Sequence, residues 1–275
     1  MERFFEINNL KVGFRTFEGE KPVLNIGHLA IDRGETYGLV GESGSGKTVL
    51  ALAIQKLLPP KSAIIGSGTI RFDGVDLLAL SEREMRAYRG RRIAMIFQDP
   101  MSTLNPVFTV GDQIIRVIRT HRHLSGAEAK AEALRLIDVV RLPDAENILG
   151  KYPHELSGGQ RQRIIIAIAL SCQAEFLIAD EPTRNLDVTI QAGVLKLIAE
   201  LQQALGITVL YLANNLGLVA TFCSRVGILQ CGEIIETGYV RDVLDNPQTD
   251  YTRLLLQLSG AGRPDAVKTG GMNDA

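Results

Sequence analysis

GESGSGKT, at residues 41–48, follows the apolar run TYGLV and opens the helix-forming run TVLALAIQKLL, which Pro59 and Pro60 stop. It satisfies the pattern Gly-x-x-x-x-Gly-Lys-Ser/Thr in the order strand, loop, helix. The order matters chemically. Glycines let backbone N–H groups turn inward around phosphates, and the helix N-terminus adds partial positive charge. Gly41, Glu42, Ser43, Gly44, Ser45, Gly46, Lys47, Thr48 and Val49 are therefore the candidate nucleotide-binding residues. Lys47 is placed to reach the β- and γ-phosphates, and the Thr48 hydroxyl to bind Mg²⁺. By average residue frequencies the four fixed positions recur by accident in roughly one chain in a hundred of this length, and the strand–helix context lowers that further.

Outward from the loop, the apolar strand FLIA at residues 176–179 delivers Asp180 and Glu181 at its carboxyl end. Two adjacent carboxylates suit a core badly and a metal–phosphate site well. Asp180 is the candidate metal-shell residue, and Glu181 the candidate for polarising an attacking water.

Strand-like runs at residues 36–40, 69–72, 93–98, 176–179, 207–212 and 225–229 alternate with helical patterns at 48–58, 127–140, 158–170 and 189–205. That alternation predicts an α/β fold with a mostly parallel sheet covered on both faces. The first 40 residues read as short strands joined by turns. Residues 100–160 read as a helical lobe inserted into the sheet domain, residues 1–257 as the domain, and residues 258–275 as a disordered tail. No internal repeat is visible.

The formal net charge is −1, so no bulk positive field draws the chain to nucleic acid or anionic lipid. Arg83, Arg86, Arg89, Arg91 and Arg92 read as a solvated face. Cys172, Cys223 and Cys231 lie in apolar contexts without metal-ligand spacing, and read as buried thiols of a reducing cytosol. The uncharged stretch 204–224 reads as a buried strand and helix rather than a membrane span. No signal-peptide pattern occurs at MERFFEINNL.

LSGGQ at residues 156–160, followed by RQR, resembles the signature motif of the ABC ATPases and stands with Ser157 23 residues before Asp180. FQD at 97–99 resembles that family's Q-loop, with Gln98 as metal and catalytic contact, and NLD at 185–187 its D-loop, with Asp187. The resemblance covers residues 1–257. It implies a P-loop NTPase of the ABC type, with a mostly parallel sheet core, N-terminal antiparallel strands and an inserted helical lobe. It also implies a head-to-tail dimer in which Ser157, Gly158, Gly159 and Gln160 complete a partner's ATP–Mg²⁺ site. Ser157 and the glycines at a helix start agree physically with such an anion site. Phe14 or Phe17 is the candidate for stacking on adenine.

DPMSTLNPVFTVGDQI (99–114), YPHELSGGQRQR (152–163), LDVTIQA (186–192) and NPQTDYTRLLL (246–256) look like the branch importing oligopeptides, dipeptides and nickel. That branch implies a chain peripheral to the cytoplasmic face of the plasma membrane, docked under transmembrane permease subunits through residues 98–110. A second, non-identical ATPase and, indirectly, an extracytoplasmic solute-binding protein complete the assembly. No nucleic acid is expected. The branch's cysteine-rich extension is missing, so no iron–sulfur cluster is expected.

One departure touches the chemistry. Where the family usually has Thr-His-Asp after a strand, this sequence has Ala213, Asn214 and Asn215. Asparagine donates a hydrogen bond but carries no charge. The chain is thus read as an ABC-type ATPase whose own site is weakened at Asn214, with an ATP-binding, largely non-hydrolytic partner subunit as the alternative. Arg184 and Asn185 replace the small residues common before Leu-Asp.

Overall fold

The computed structural model describes residues 3–259. In chain order the first part comprises β1 (Phe5–Thr16), β2 (Gly19–Ile31), β3 (Thr36–Val40), α1 (Lys47–Ile54), β4 (Ala63–Phe72), β5 (Val75–Asp76), α2 (Glu82–Tyr88) and β6 (Ile93–Ile96). A helical stretch follows: α3 (Pro100–Thr103), α4 (Val110–His121), α5 (Gly126–Val139), α6 (Ala145–Gly150), a 3₁₀ turn at Pro153–Glu155, and α7 (Gly158–Leu170). The chain then runs β7 (Phe176–Asp180), α8 (Val188–Leu205), β8 (Thr208–Ala213), α9 (Leu216–Ala220), β9 (Arg225–Gln230), β10 (Glu233–Tyr239), α10 (Val240–Asp245) and α11 (Asp250–Ser259).

Two sheets result. One is antiparallel in the order β2-β1-β4-β5; the other runs β10-β9-β3-β8-β7-β6, parallel except where edge strand β10 meets β9. The buried strands of the second sheet are apolar on both faces because each face has its own core. Along β7, Phe176 and Ile178 join the core shared with β1, β2 and α1, whereas Leu177 and Ala179 join the core built with α4, α5, α7 and α8. Helix α1 thus lies between the two sheets, which fixes the loop before it. Capping residues set the helix starts: Ser81, Ser125 and Ser157 each form a reciprocal capping box with the residue three ahead, and Asp187 caps α8.

The structure corrects several expectations. The N-terminal strands are long, 12 and 13 residues. Their alternation is broken in the sequence because Asn9 adopts a positive φ and the register shifts between Val12 and Gly13. The strand expected at 69–72 starts at Ala63 and belongs to the antiparallel sheet. Helix α1 ends at Ile54 rather than 58, before the prolines, because Lys56 turns left-handed at φ 50° and its amine bonds the carbonyls of Leu78 and Leu80. Cys231 is exposed, at φ 47° in the β9–β10 turn, unlike buried Cys172 and Cys223.

The arginine cluster is not simply solvated. Arg89 pairs with Glu82 and bonds two carbonyls of the α1 exit, and Arg92 bridges Asp73 and Glu175. Helix α11 continues to Ser259, past the expected boundary at 257; the rest of the expected tail, 260–275, lies outside the described residues.

Candidate active site

The loop between β3 and α1 is anchored at both ends. The Gly41 amide donates to the Ala213 carbonyl at the end of β8, and the Gly232 amide donates to the Ser45 carbonyl. A Cβ on Gly41 would lie 2.2 Å from the Leu229 carbonyl oxygen, and one on Gly46, at φ 109°, 2.5 Å from Leu24 Cδ2. Gly41 demands glycine by contact with backbone, and Gly46 by its left-handed conformation.

Beside the loop, side chains from three strand ends converge on a cleft of ≈160 Å³ lined by loop residues together with Val23, Gln98, Glu181 and Arg184. Lys47, 4% exposed, donates to the carbonyls of Gly41 (2.6 Å) and Glu42 (2.9 Å), and lies 3.6 Å from Glu181 Oε1. Gln98 Nε2 donates to Glu181 Oε2 at 3.0 Å, and Arg184 Nη1 donates to the same oxygen at 3.2 Å. Glu181 sits at φ 43°, a left-handed conformation that costs a non-glycine residue roughly 1–3 kcal/mol and is typical of residues aimed into a site.

Thr48 Oγ1 donates to Asp180 Oδ2 at 2.8 Å. Asp180 Oδ1, in a residue only 1% exposed, has no hydrogen-bond partner. A buried carboxylate oxygen left unpaired is costly, and with an adjacent hydroxyl it forms the hard-oxygen donor set that Mg²⁺ takes, completed by waters and phosphate oxygens. The residues therefore fit the ion. Burial pushes the Lys47 amine below its ordinary range, opposed by Glu181 and Asp180. It pushes Asp180 above the usual carboxylate range, opposed by the Thr48 hydrogen bond and by Lys47.

Asn214 follows β8 directly, next to the carbonyl that holds Gly41, and its side chain is exposed. Asn215 caps α9, accepting from the amides of Gly217 and Leu218. Ser157 lies exposed at the start of α7, and neither it nor Gly158, Gly159 and Gln160 lines the cleft. Gly159 packs against α8: a Cβ there would approach Ile190 Cγ2 to 2.8 Å. Asp187 Oδ1 accepts from the Ile190 amide at 3.0 Å.

Phe14 faces Lys21 and Ala63 along its strand partners, and Phe17 is fully exposed at the hairpin turn; neither lines the cleft. The sequence reading missed Val23 as a lining residue, because nothing in β2 marks which residue faces the loop. It noted Arg184 without foreseeing its bond to Glu181. The i,i+3 spacing of the two residues was the available signal.

An ABC transporter family model matches residues 24–184. The chain is 47% identical over 251 residues to a probable peptide ABC transporter ATP-binding protein, y4tR, of Sinorhizobium fredii (strain NBRC 101917 / NGR234), covering 91% of this chain and 75% of that protein. It is 44% identical over 254 residues to the oligopeptide transport ATP-binding protein OppD of Bacillus subtilis (strain 168), covering 92% of this chain and 71% of that one. Among solved structures, the dimeric post-hydrolysis state of the ATP-binding cassette MJ0796 bound to ADP and Pi superposes with a TM-score of 0.76 at 26% identity, covering 86% of this chain and 99% of that chain. With the phosphate loop, the acidic strand end and the glutamine converging on one cleft, the chain belongs to the ABC transporter family, as one of its ATPases.

Proposed function

We propose that this chain is the ATP-hydrolysing motor of an importer for peptides or similarly small solutes. The carrying observation is the convergence of Lys47, Gln98 and Arg184 on Glu181, beside Thr48 bonded to Asp180. The names of the relatives at 44–48% identity support the solute class.

In this reading the loop amides and Lys47 bind the β- and γ-phosphates. Thr48, Asp180 and Gln98 would hold Mg²⁺, which when bound neutralises charge across the phosphate oxygens. Glu181 accepts a proton from the attacking water, with Gln98 orienting its carboxylate. Ser157, Gly158 and Gly159 serve the nucleotide of a second cassette, Asp187 lies at the same interface, and Phe14 or Phe17 meets adenine. Asn214 offers the γ-phosphate no charge beyond that of Lys47, where the family usually adds a histidine, so this chain's own site turns over slowly and pairing with a non-identical ATPase follows. Transmembrane permease subunits carry the solute. Among the described residues no helix is long and apolar enough to cross a membrane, which suits a subunit attached to the cytoplasmic face through a permease.

Uptake of a labelled peptide library by cells lacking the chain's gene tests this. Wild type should restore uptake and Lys47→Ala should not. Equal rescue by both would refute the motor role, and restoration of nickel but no peptide uptake would replace the peptide with nickel or a metal chelate, the other solutes this branch allows.

A further inference from the structure

The segment NPQTDYTRLLL is not used by the site as described, yet the fold brings its tyrosine onto the phosphate loop. The Glu42 backbone N–H donates to the Tyr251 hydroxyl oxygen at 3.1 Å. The Gly41 carbonyl, which accepts from Lys47 Nζ at 2.6 Å, is the other end of the same planar peptide unit. One rigid plane is therefore held by the lysine at its oxygen and by the tyrosine at its nitrogen. Rotation that turns the carbonyl away from Lys47 also breaks the bond to Tyr251. Upstream, the Gly41 amide is fixed to Ala213 and its Cα is wedged against the Leu229 carbonyl. Downstream, past the turn at Gly44 (φ 85°), the Ser45 amide donates back to the Glu42 carbonyl and the Ser45 carbonyl accepts from the Gly232 amide.

Tyr251 is itself held in place. On β10, the Glu236 carboxylate accepts from the amides of Gln248 (2.8 Å) and Thr249 (3.2 Å) and from the hydroxyls of Thr249 and Thr252. Thr252 is fully buried, and Leu255 and Leu256 join the core that includes Leu216 and Val219 of α9. Helix α11 is thus a rigid bracket, and its tyrosine reaches the loop from outside the sheet.

We propose that Tyr251 is a positioning residue for Lys47, acting through the Gly41–Glu42 peptide, so that α11 sets how well the loop binds nucleotide phosphates. This rests on the ATPase reading above and extends it to an element beyond the cleft.

Tyr251→Phe in the full chain tests it, since the ring stays and only the hydroxyl goes. Steady-state hydrolysis should show the KM for ATP raised about three- to tenfold, the range of one modest hydrogen bond, with kcat changed less than twofold. The melting temperature of the nucleotide-free protein should hardly move, which separates positioning from general destabilisation. An unchanged KM overturns the proposal, as does a fall in kcat at constant KM. Should Tyr251→Phe fold poorly, Thr252→Val, which loosens α11 from Glu236 and keeps the tyrosine, carries the same expected KM rise, and an unchanged KM there overturns the proposal equally. Absence of ATP hydrolysis and of MgADP binding in the wild type would instead strike the ATPase reading, a result distinguishable from any of these.

Discussion

At the start of α1 the polar groups are buried and held from several directions, whereas at the start of α7 the capping pair, Ser157 and Gln160, bond each other with the serine exposed. Around the phosphate loop, Lys47 and Glu181 are less than a tenth exposed, and Ser45 Oγ and Asp180 Oδ1 are buried without partners. Leaving such atoms unpaired costs about 1–3 kcal/mol each, a strain usual where a protein is shaped for a ligand. At α7, Ser157 and Gln160 cap each other and the serine faces solvent. The first region is a cleft prepared within one chain; the second is a surface that acts on something brought to it. That contrast is what the proposed sharing of a site between two cassettes requires.

The largest expected effect falls on the prepared side. Lys47→Ala should reduce ATP hydrolysis by about 10³-fold or more, since it removes the cation aimed at the phosphates and the buried positive charge beside Glu181 and Asp180. MgADP binding by the isolated chain should fall with it. Retained binding would mean that the loop amides alone carry affinity, and would erase the contrast.

Next comes the exposed side. Ser157→Arg should lower hydrolysis about 10²-fold at concentrations where cassettes pair, the scale of losing an anion-binding helix start at a reacting phosphate. MgADP affinity of the dilute chain should stay as in wild type, as Ser157 lines no part of the cleft. Equilibrium binding beside steady-state rates separates the two. An equal loss of monomer affinity would place α7 in the chain's own site.

How much of this was legible in the sequence follows the same divide. The loop, the acidic strand end and the signature declare themselves because their chemistry is local: spacing within eight residues decides it. The long-range partners did not. Gln98 meets Glu181 across 83 positions and Tyr251 meets Glu42 across 209, and no local pattern encodes such contacts. The N-terminal strands were underestimated for a related reason, because the Asn9 kink and the bulge at Val12 and Gly13 interrupt the alternation that reveals strands. Arg89 and Arg92 read as solvent-facing until Glu82, Asp73 and Glu175 are placed beside them.

A smaller change sharpens the comparison from the end of β8, beside the phosphate loop. Asn214→His should raise hydrolysis tenfold or more, by supplying the donor that the family usually has after this strand. The position is open to it: Asn214 is exposed, and the cap of α9 belongs to Asn215. Steady-state rates at pairing concentrations decide it. An already fast wild type, unmoved by histidine, would mean that asparagine suffices and would make a pair of identical chains credible.

The smallest expected effect concerns Arg184, which is 43% exposed on the solvent side of Glu181. Its ion pair is half in water, where such contacts are worth about 0–1 kcal/mol, and Gln98 holds the same carboxylate oxygen from the other side. Arg184→Ser should therefore free Glu181 only slightly, raising kcat about two- to fivefold at an unchanged KM. A fall in kcat of tenfold or more would reverse the assignment, making the guanidinium a phosphate contact that stands in for the cation Asn214 lacks. The double variant distinguishes the two. If Arg184 merely restrains Glu181, its effect should be the same with Asn214 or histidine present. If it replaces the missing cation, the loss on removing it should shrink once histidine is there, because residues sharing one task are not additive.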